Sequence, residues 1–329
     1  FQNPAFADLL EELIKQGSDF FYKGDGAKLI LDTLAPFGLL TPESLANYTV
    51  AERVPLKSEF NGKTVYTNPT PSVGGTLITF TLQLFEKSQT VSNAGIIDLV
   101  YAMQVTTAAR KNASTNSNDS YLISKILDKN TFKHYLDQYL ELHSLNIDEN
   151  DPPSRGATTQ VSIIDNAGNA ASVTTTNGEG CGYLIPELGV MLNNMLGEED
   201  LNPSGFHNFK CQQRLPTMIS PTVVMGDNGP ELVIGSGGSN RIRSAIIQVI
   251  LNLMKGMDLD RAINASRIHL EGSVLHCEPD ISFPDKIKLP DGVSIHQWDI
   301  QNLFFGGVNA VTWEEAVGDP RRGGTGVIV

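Results

Sequence analysis

Residues 2–16 place apolar side chains at Phe6, Leu9, Leu10, Leu13 and Ile14, a three-and-four spacing that winds one face of a helix, with Pro4 acceptable in its first turn. KTVYT (63–67) alternates like a short strand and runs into a breaker-rich stretch, NPTPSVGG, ending at Gly75. TLITFTLQLFE (76–86) fits either strand or helix, and the preceding Gly-Gly pair favours a helix. Polar loops are expected at 112–120 and at 145–157, and a boundary near Ala157 separates a mostly helical region, 1–157, from a strand-rich one, 158–329.

The second region opens with two β-branched runs, TTQVSIID (158–165) and AASVTTT (170–176), separated by Asn166, Ala167, Gly168 and Asn169. That is hairpin chemistry. A turn centred on Ala167 sets Thr158 opposite Thr176, so two hydroxyls face each other across the ladder. A further hairpin is predicted over 220–236, turning at Asp227, Asn228 and Gly229. It leads into GSGGSN and an apolar helix over 241–255. Strands followed by packed helices point to an α+β sheet sandwiched between helical layers.

Composition narrows the chemistry. Lys plus Arg number 24 against 37 Asp plus Glu, a formal charge of −13, which argues against nucleic acid as a partner because phosphate binders cluster cations. No run approaches the roughly 18 apolar residues of a membrane-spanning helix, so no membrane partner is expected. The chain begins at Phe1 with no visible secretory signal, and Cys181, Cys211 and Cys277 are odd in number and far apart. These features lean to a reducing, cytoplasmic setting. Four Asn-x-Ser/Thr sequons, at Asn47, Asn112, Asn118 and Asn264, mean little without a secretory context. The six histidines (134, 143, 207, 269, 276 and 296) have no metal-ligand spacing, and neither metal nor cofactor is implied. His276 and Cys277 adjoin on a predicted strand, where neighbours point to opposite faces.

Several motifs, taken together, carry a resemblance. RGATTQVSIIDNAGNAASVTTTNGEG, GVMLNNML, RLPTMISPTVV and ELVIGSGGSNRI resemble, in order and spacing, the small subunit of the γ-glutamyltranspeptidase family; FGLLTPESLANYTVAERVPL and VYTNPTPSVGG resemble the end of its large subunit. The resemblance implies a four-layer αββα N-terminal-nucleophile hydrolase, truncated at its amino-terminal part and made as a proenzyme cut at Ala157-Thr158. Thr158 would be the nucleophile and Thr176 its hydroxyl partner, in agreement with the hairpin register. The glycine-rich stretch would put the Gly238 and Ser239 amides at the oxyanion, although a tight strand-to-helix turn explains the same glycines. The implied reaction passes a γ-glutamyl group from a glutathione-like donor to water or an amino acid. The two fragments would stay associated, and a homodimer of that pair is a further expectation.

Recognition parts are thinner. Where the family grips the glutamyl α-amino group with Asn, Gln and Asp, this chain has Gly178, Met195 and Glu198; where it has paired serines, this chain has Thr217 and Met218. A large upstream stretch, including an arginine that pairs with the substrate carboxylate, has no counterpart here, and neither Arg110 nor another arginine inherits that role. Asp319, Arg321 and Arg322 in GDPRRGG read as loop residues that pack. Two other readings stay open: an amidase or acylase of different acyl specificity, and a non-catalytic relative.

Overall fold

The amino-terminal stripe forms α1 (Pro4–Gln16), capped by the Asn3 side chain, which accepts the Phe6 amide at 3.1 Å. The remaining elements are α2 (Asp19–Tyr22), α3 (Asp25–Leu34), α4 (Pro42–Ala46), β1 (Leu56–Phe60), β2 (Lys63–Thr67), α5 (Val73–Ser88), α6 (Ile96–Ser114) and α7 (Lys129–Leu140). Then come β3 (Thr158–Ile164), β4 (Ala170–Thr176), β5 (Leu184–Ile185), β6 (Val190–Met191), β7 (Thr222–Gly226), β8 (Gly229–Gly237), α8 (Arg241–Met254) and α9 (Leu259–Asn264). The chain closes with β9 (Ile268–Glu271), β10 (Val274–Cys277), β11 (Ser294–Gln297), β12 (Gly307–Val311) and β13 (Ala316–Val317). This computed structural model describes residues 2–38, 40–114, 120–141, 157–198, 201–202, 205–283 and 289–329. Of the loop expected at 145–157, all but Ala157 lies outside the described residues.

Two expectations are corrected. Helix α5 starts at Val73, so Gly74 and Gly75 lie inside its first turn instead of breaking the chain before it. They serve close approach: a Cβ on Gly74 would sit 2.2 Å from the Met218 carbonyl oxygen, and one on Gly75 2.1 Å from that of Asn68. Helix α6 runs on through Ser114, so residues 112–114 of the expected loop are helical, and residues 115–119 lie outside the described residues. The ambiguous run 76–86 is helical, and 241–255 forms α8.

Two compact units divide the chain, Phe1–Arg53 with Asn177–Met195, and Val54–Thr176 with Leu196–Val329. Each draws residues from both sides of Ala157-Thr158. The smaller packs Leu9, Phe20, Ile30, Leu34, Ile185 and Leu188 into its own core.

The larger is built on an antiparallel sheet in the order β1-β2-β7-β8-β12-β13. Strand β8 is buried on both faces from Leu232 to Gly237. Leu232 and Ile234 pack with Val308 and Ala310 of β12 against Leu77, Ile78, Ile246 and Ile250 from α5 and α8. Each such aliphatic side chain contributes about 1.5–3 kcal/mol by burial. Gly235 and Gly237 face the other way, onto the β3–β4 hairpin. A three-stranded sheet, β11-β10-β9, carries a separate cluster that includes Val100, Ile268, Leu275 and Cys277. On β10, His276 meets His296, Trp298 and Phe304 while its neighbour Cys277 joins that cluster, as strand alternation requires.

Within the closing GDPRRGG, Asp319 and Arg321 are buried while Pro320 and Gly323 are exposed. Arg267 pairs with Asp319 at 2.7 Å and Arg321 with Glu278 at 2.5 Å, with side chains at most 3% exposed. Asp319 also accepts the Val308 amide at 2.8 Å, which ties the chain end to β12.

Candidate active site

The hairpin owes its register to its turn. Asp165 accepts the Ala167 and Asn169 amides, and Gly168 takes a left-handed φ of +83° that costs a glycine little. Those bonds hold the Asp165 carboxyl below its usual pKa, the Asn169 side chain contributing most. With the turn fixed, Thr158 pairs with Thr176 and Gln160 with Thr174.

The inner face of this hairpin is polar: Thr158, Gln160 and Ser162 on β3, and Ser172, Thr174 and Thr176 on β4, are partly or fully buried. Its outer face carries Val161, Ile163 and Val173, 49–51% exposed, beside the exposed Thr159 and Thr175. The Thr158 hydroxyl donates to Thr176 Oγ1 at 3.1 Å, and the Thr176 hydroxyl donates to the Ala157 carbonyl oxygen at 3.4 Å. Two hydroxyls and the peptide carbonyl preceding Thr158 therefore form one chain.

The glycine-rich stretch lies beside them. A Cβ on Gly237 would stand 2.2 Å from the Thr158 carbonyl oxygen, so the nucleophile candidate rests on a residue that must lack a side chain. Gly238 takes φ +125° and Ser239 φ +51°, the latter a left-handed conformation that a serine adopts at a cost. Their carbonyls accept the Arg241 and Ile242 amides as α8 begins, and the Gly238 amide makes no hydrogen bond to any described residue. Gly306 closes beneath: a Cβ on Gly238 would lie 2.8 Å from its Cα. Arg322 Nη2 stands 3.5 Å from that same Cβ position and donates to the Leu303 carbonyl. Burial lowers its pKa, yet a guanidinium remains a cation.

The other candidates have partners of their own. Thr217 Oγ1 accepts the Ile219 amide at 2.9 Å, while the Thr217 carbonyl holds the Val73 amide at the start of α5. The Glu198 carbonyl accepts the Asn202 side-chain amide at 2.6 Å. Gly178 and Met195 belong to the smaller unit. Arg110 donates to Asn240 Oδ1 at 3.0 Å, bracing the residue after Ser239. Sequence reasoning passed over Gly237 and Gln160. The doubled glycines before Ser239 and the polar member of each alternate pair on β3 were the signals that could have found them.

Comparison with known proteins follows the same lines. A family model described as Gamma-glutamyltranspeptidase matches residues 1–329. The chain is 27% identical over 350 residues to the glutathione hydrolase proenzyme of Bacillus subtilis (strain 168), covering 95% of this chain and 59% of that protein. It is 30% identical over 315 residues to the glutathione hydrolase proenzyme of Escherichia coli (strain K12), covering 86% of this chain and 53% of that protein. The chain thus spans between half and two thirds of the length of these relatives. Cephalosporin acylase from Bacillus halodurans superposes with a TM-score of 0.78 at 19% identity, over 99% of this chain and 62% of that one, and so shares its fold.

Proposed function

The chain belongs to the γ-glutamyltranspeptidase family, and from that premise we propose that it is a self-cleaving γ-glutamyl transferase or hydrolase whose nucleophile is the Thr158 hydroxyl. The observation that carries this reading is the hydroxyl chain from Thr158 through Thr176 to the Ala157 carbonyl. In the uncut chain, Thr158 Oγ1 attacks the Ala157 carbonyl carbon. The Thr158 proton passes to Thr176, and the Thr176 proton passes to the developing oxyanion. Collapse of the tetrahedral adduct breaks the Ala157-Thr158 C–N bond as the adduct's hydroxyl proton passes to the leaving nitrogen, and leaves Ala157 esterified on Thr158 Oγ1; water then hydrolyses the ester.

Cleavage frees the Thr158 α-amino group, whose reference pKa of about 7.7 to 8.0 leaves part of it neutral near physiological pH. It serves as the base for its own hydroxyl. Attack on the γ-carbonyl of a glutathione-like amide expels the amine, and the acyl-enzyme passes to water or an amino-acid acceptor. The Gly238 and Ser239 amides, with Gly237 packed against Thr158, are the oxyanion donors in this reading. Each such donor contributes roughly 3 to 4 kcal/mol in well-studied hydrolases. Glu198 and Thr217 are proposed as substrate contacts.

Fragments 1–157 and 158–329 would stay together, because β2 from the first pairs with β7 from the second and one core spans both. Met195 and Gly178, standing where the family has polar residues, favour a second reading in which the acyl group is not glutamyl, since a charged amino group is costly to bury unpartnered. Release of nitroaniline from γ-glutamyl-4-nitroanilide by the complete gene product, abolished by Thr158→Ala, is the expected result. Nitroaniline release that survives Thr158→Ala contradicts the nucleophile. Turnover of non-glutamyl anilides alone favours the second reading.

A further inference from the structure

We propose that Gln160 is a positioning residue that holds Thr158 in its reactive place, an inference that rests on the reading of Thr158 given above. Gln160 follows Thr158 by two residues on β3, so both occupy the inner face. Both meet glycines that are likewise spaced by two, on β8. A Cβ on Gly235 would lie 2.2 Å from Gln160 Oε1, just as one on Gly237 would lie 2.2 Å from the Thr158 carbonyl oxygen. The two glycines form a slot, and the Gln160 amide fills one end of it at 3% exposure.

Inside the slot the amide uses both of its ends. Nε2 donates to Ser162 Oγ and to Ser172 Oγ, each at 2.9 Å, and Oε1 accepts the Thr174 hydroxyl. The serines pass the connection to the main sheet: Ser162 donates to the Asn309 carbonyl at 2.9 Å and Ser172 to the Ile234 carbonyl at 3.1 Å. Asn309 Nδ2 returns a bond to the Gln160 carbonyl at 2.8 Å. One residue thus joins both strands of the hairpin to β8 and β12, two residue pairs along the ladder from Thr158 and Thr176.

Adhesion alone would be served by apolar residues, yet Val161, Ile163 and Val173 point away from the sheet. Buried hydrogen bonds are directional and fix register where apolar contact permits sliding. A reacting hydroxyl needs that registration, because a displacement of about 1 Å can cost about a hundredfold in rate.

The experiment follows self-cleavage of the full chain on a gel, beside urea unfolding. Gln160→Met keeps the length and removes the donors and acceptor; Gly235→Ala keeps Gln160 and fills its slot. Both are expected to slow cleavage at least tenfold in chains that remain folded at 25 °C. Gln160→Glu adds a readout that loss of stability alone does not move. Its carboxylate cannot donate to the serines at neutral pH, whereas its protonated form regains one donor, so cleavage relative to wild type is expected to rise as pH falls.

Wild-type rates in Gln160→Met and Gly235→Ala, with Thr158→Ala still blocked, overturn the role of Gln160 and leave that of Thr158 standing. If Gln160→Met fails to fold, unchanged cleavage in Gly235→Ala, or a flat pH ratio in Gln160→Glu, overturns it. A wild-type chain that stays whole overturns the Thr158 reading and this inference with it.

Discussion

The hydroxyls of Thr158 and Thr176 lie 3.1 Å apart across a β-hairpin, with Thr158 donating and Thr176 reaching on to the Ala157 carbonyl. Thr176→Val preserves shape and β-propensity while removing the hydroxyl. Self-cleavage is expected to slow by roughly tenfold or more, since one hydrogen bond of about 1.5 kcal/mol already accounts for that factor. The ratio of cut to uncut chain over time measures it. An unchanged rate removes Thr176 from the mechanism.

Gly237 tests the contact between the glycine-rich stretch and the nucleophile strand. Gly237→Ala introduces a Cβ 2.2 Å from the Thr158 carbonyl oxygen, backbone that cannot swing aside as a flexible side chain would. Overpacking of this kind costs about 1–3 kcal/mol. Urea unfolding should show a loss in that range, and cleavage should fall by more than the lost stability explains. Wild-type cleavage in the alanine variant would place the contact outside the chemistry.

Much of this arrangement was legible in the chain. The Thr158–Thr176 pairing follows from two β-branched runs and one turn, both local features, and the observed register agrees with it. Strand β2 and helices α1 and α8 were likewise set by local periodicity. What escaped was set at a distance. Gly74 reads as a breaker because its need for space arises at Met218, remote in sequence and close only in the fold, whereas that of Gly75 arises at the nearby Asn68. Gln160 reads as one polar residue on an alternating strand until Gly235 is seen opposite it. The burial of Arg321 depends on Glu278, 43 residues away.

That ionic cluster carries a stability prediction. Arg321→Met leaves the buried Glu278 carboxylate without its closest cation while Asn302 and Arg267 amides still donate to it. Breaking a buried pair from one side costs about 3–5 kcal/mol. A urea midpoint unchanged from wild type would show that the pair contributes nothing to the folded state.

His276 predicts a pH dependence. Burial above all, then the neighbouring His296 and Arg241, lowers its pKa from 6.5 to about 4, while Trp298 Nε1 donates to its Nδ1 at 3.2 Å. The unfolded chain therefore binds a proton between those values that the folded chain refuses. Stability is fully present above pH 6.5 and declines as pH falls towards about 4. The fully buried His269 shifts in the same direction. His276→Gln retains an acceptor for Trp298 and should shallow the decline of the urea midpoint between pH 6.5 and 4.5. Superimposable wild-type and variant slopes contradict this assignment.

The central claim is that Thr158 becomes a new amino terminus. Intact mass and amino-terminal sequencing of the incubated chain measure that without any substrate. The account predicts fragments of 157 and 172 residues, the second beginning TTQVS, and a Thr158→Ala chain that stays whole. A terminus elsewhere, or a wild-type chain that remains uncut, contradicts it.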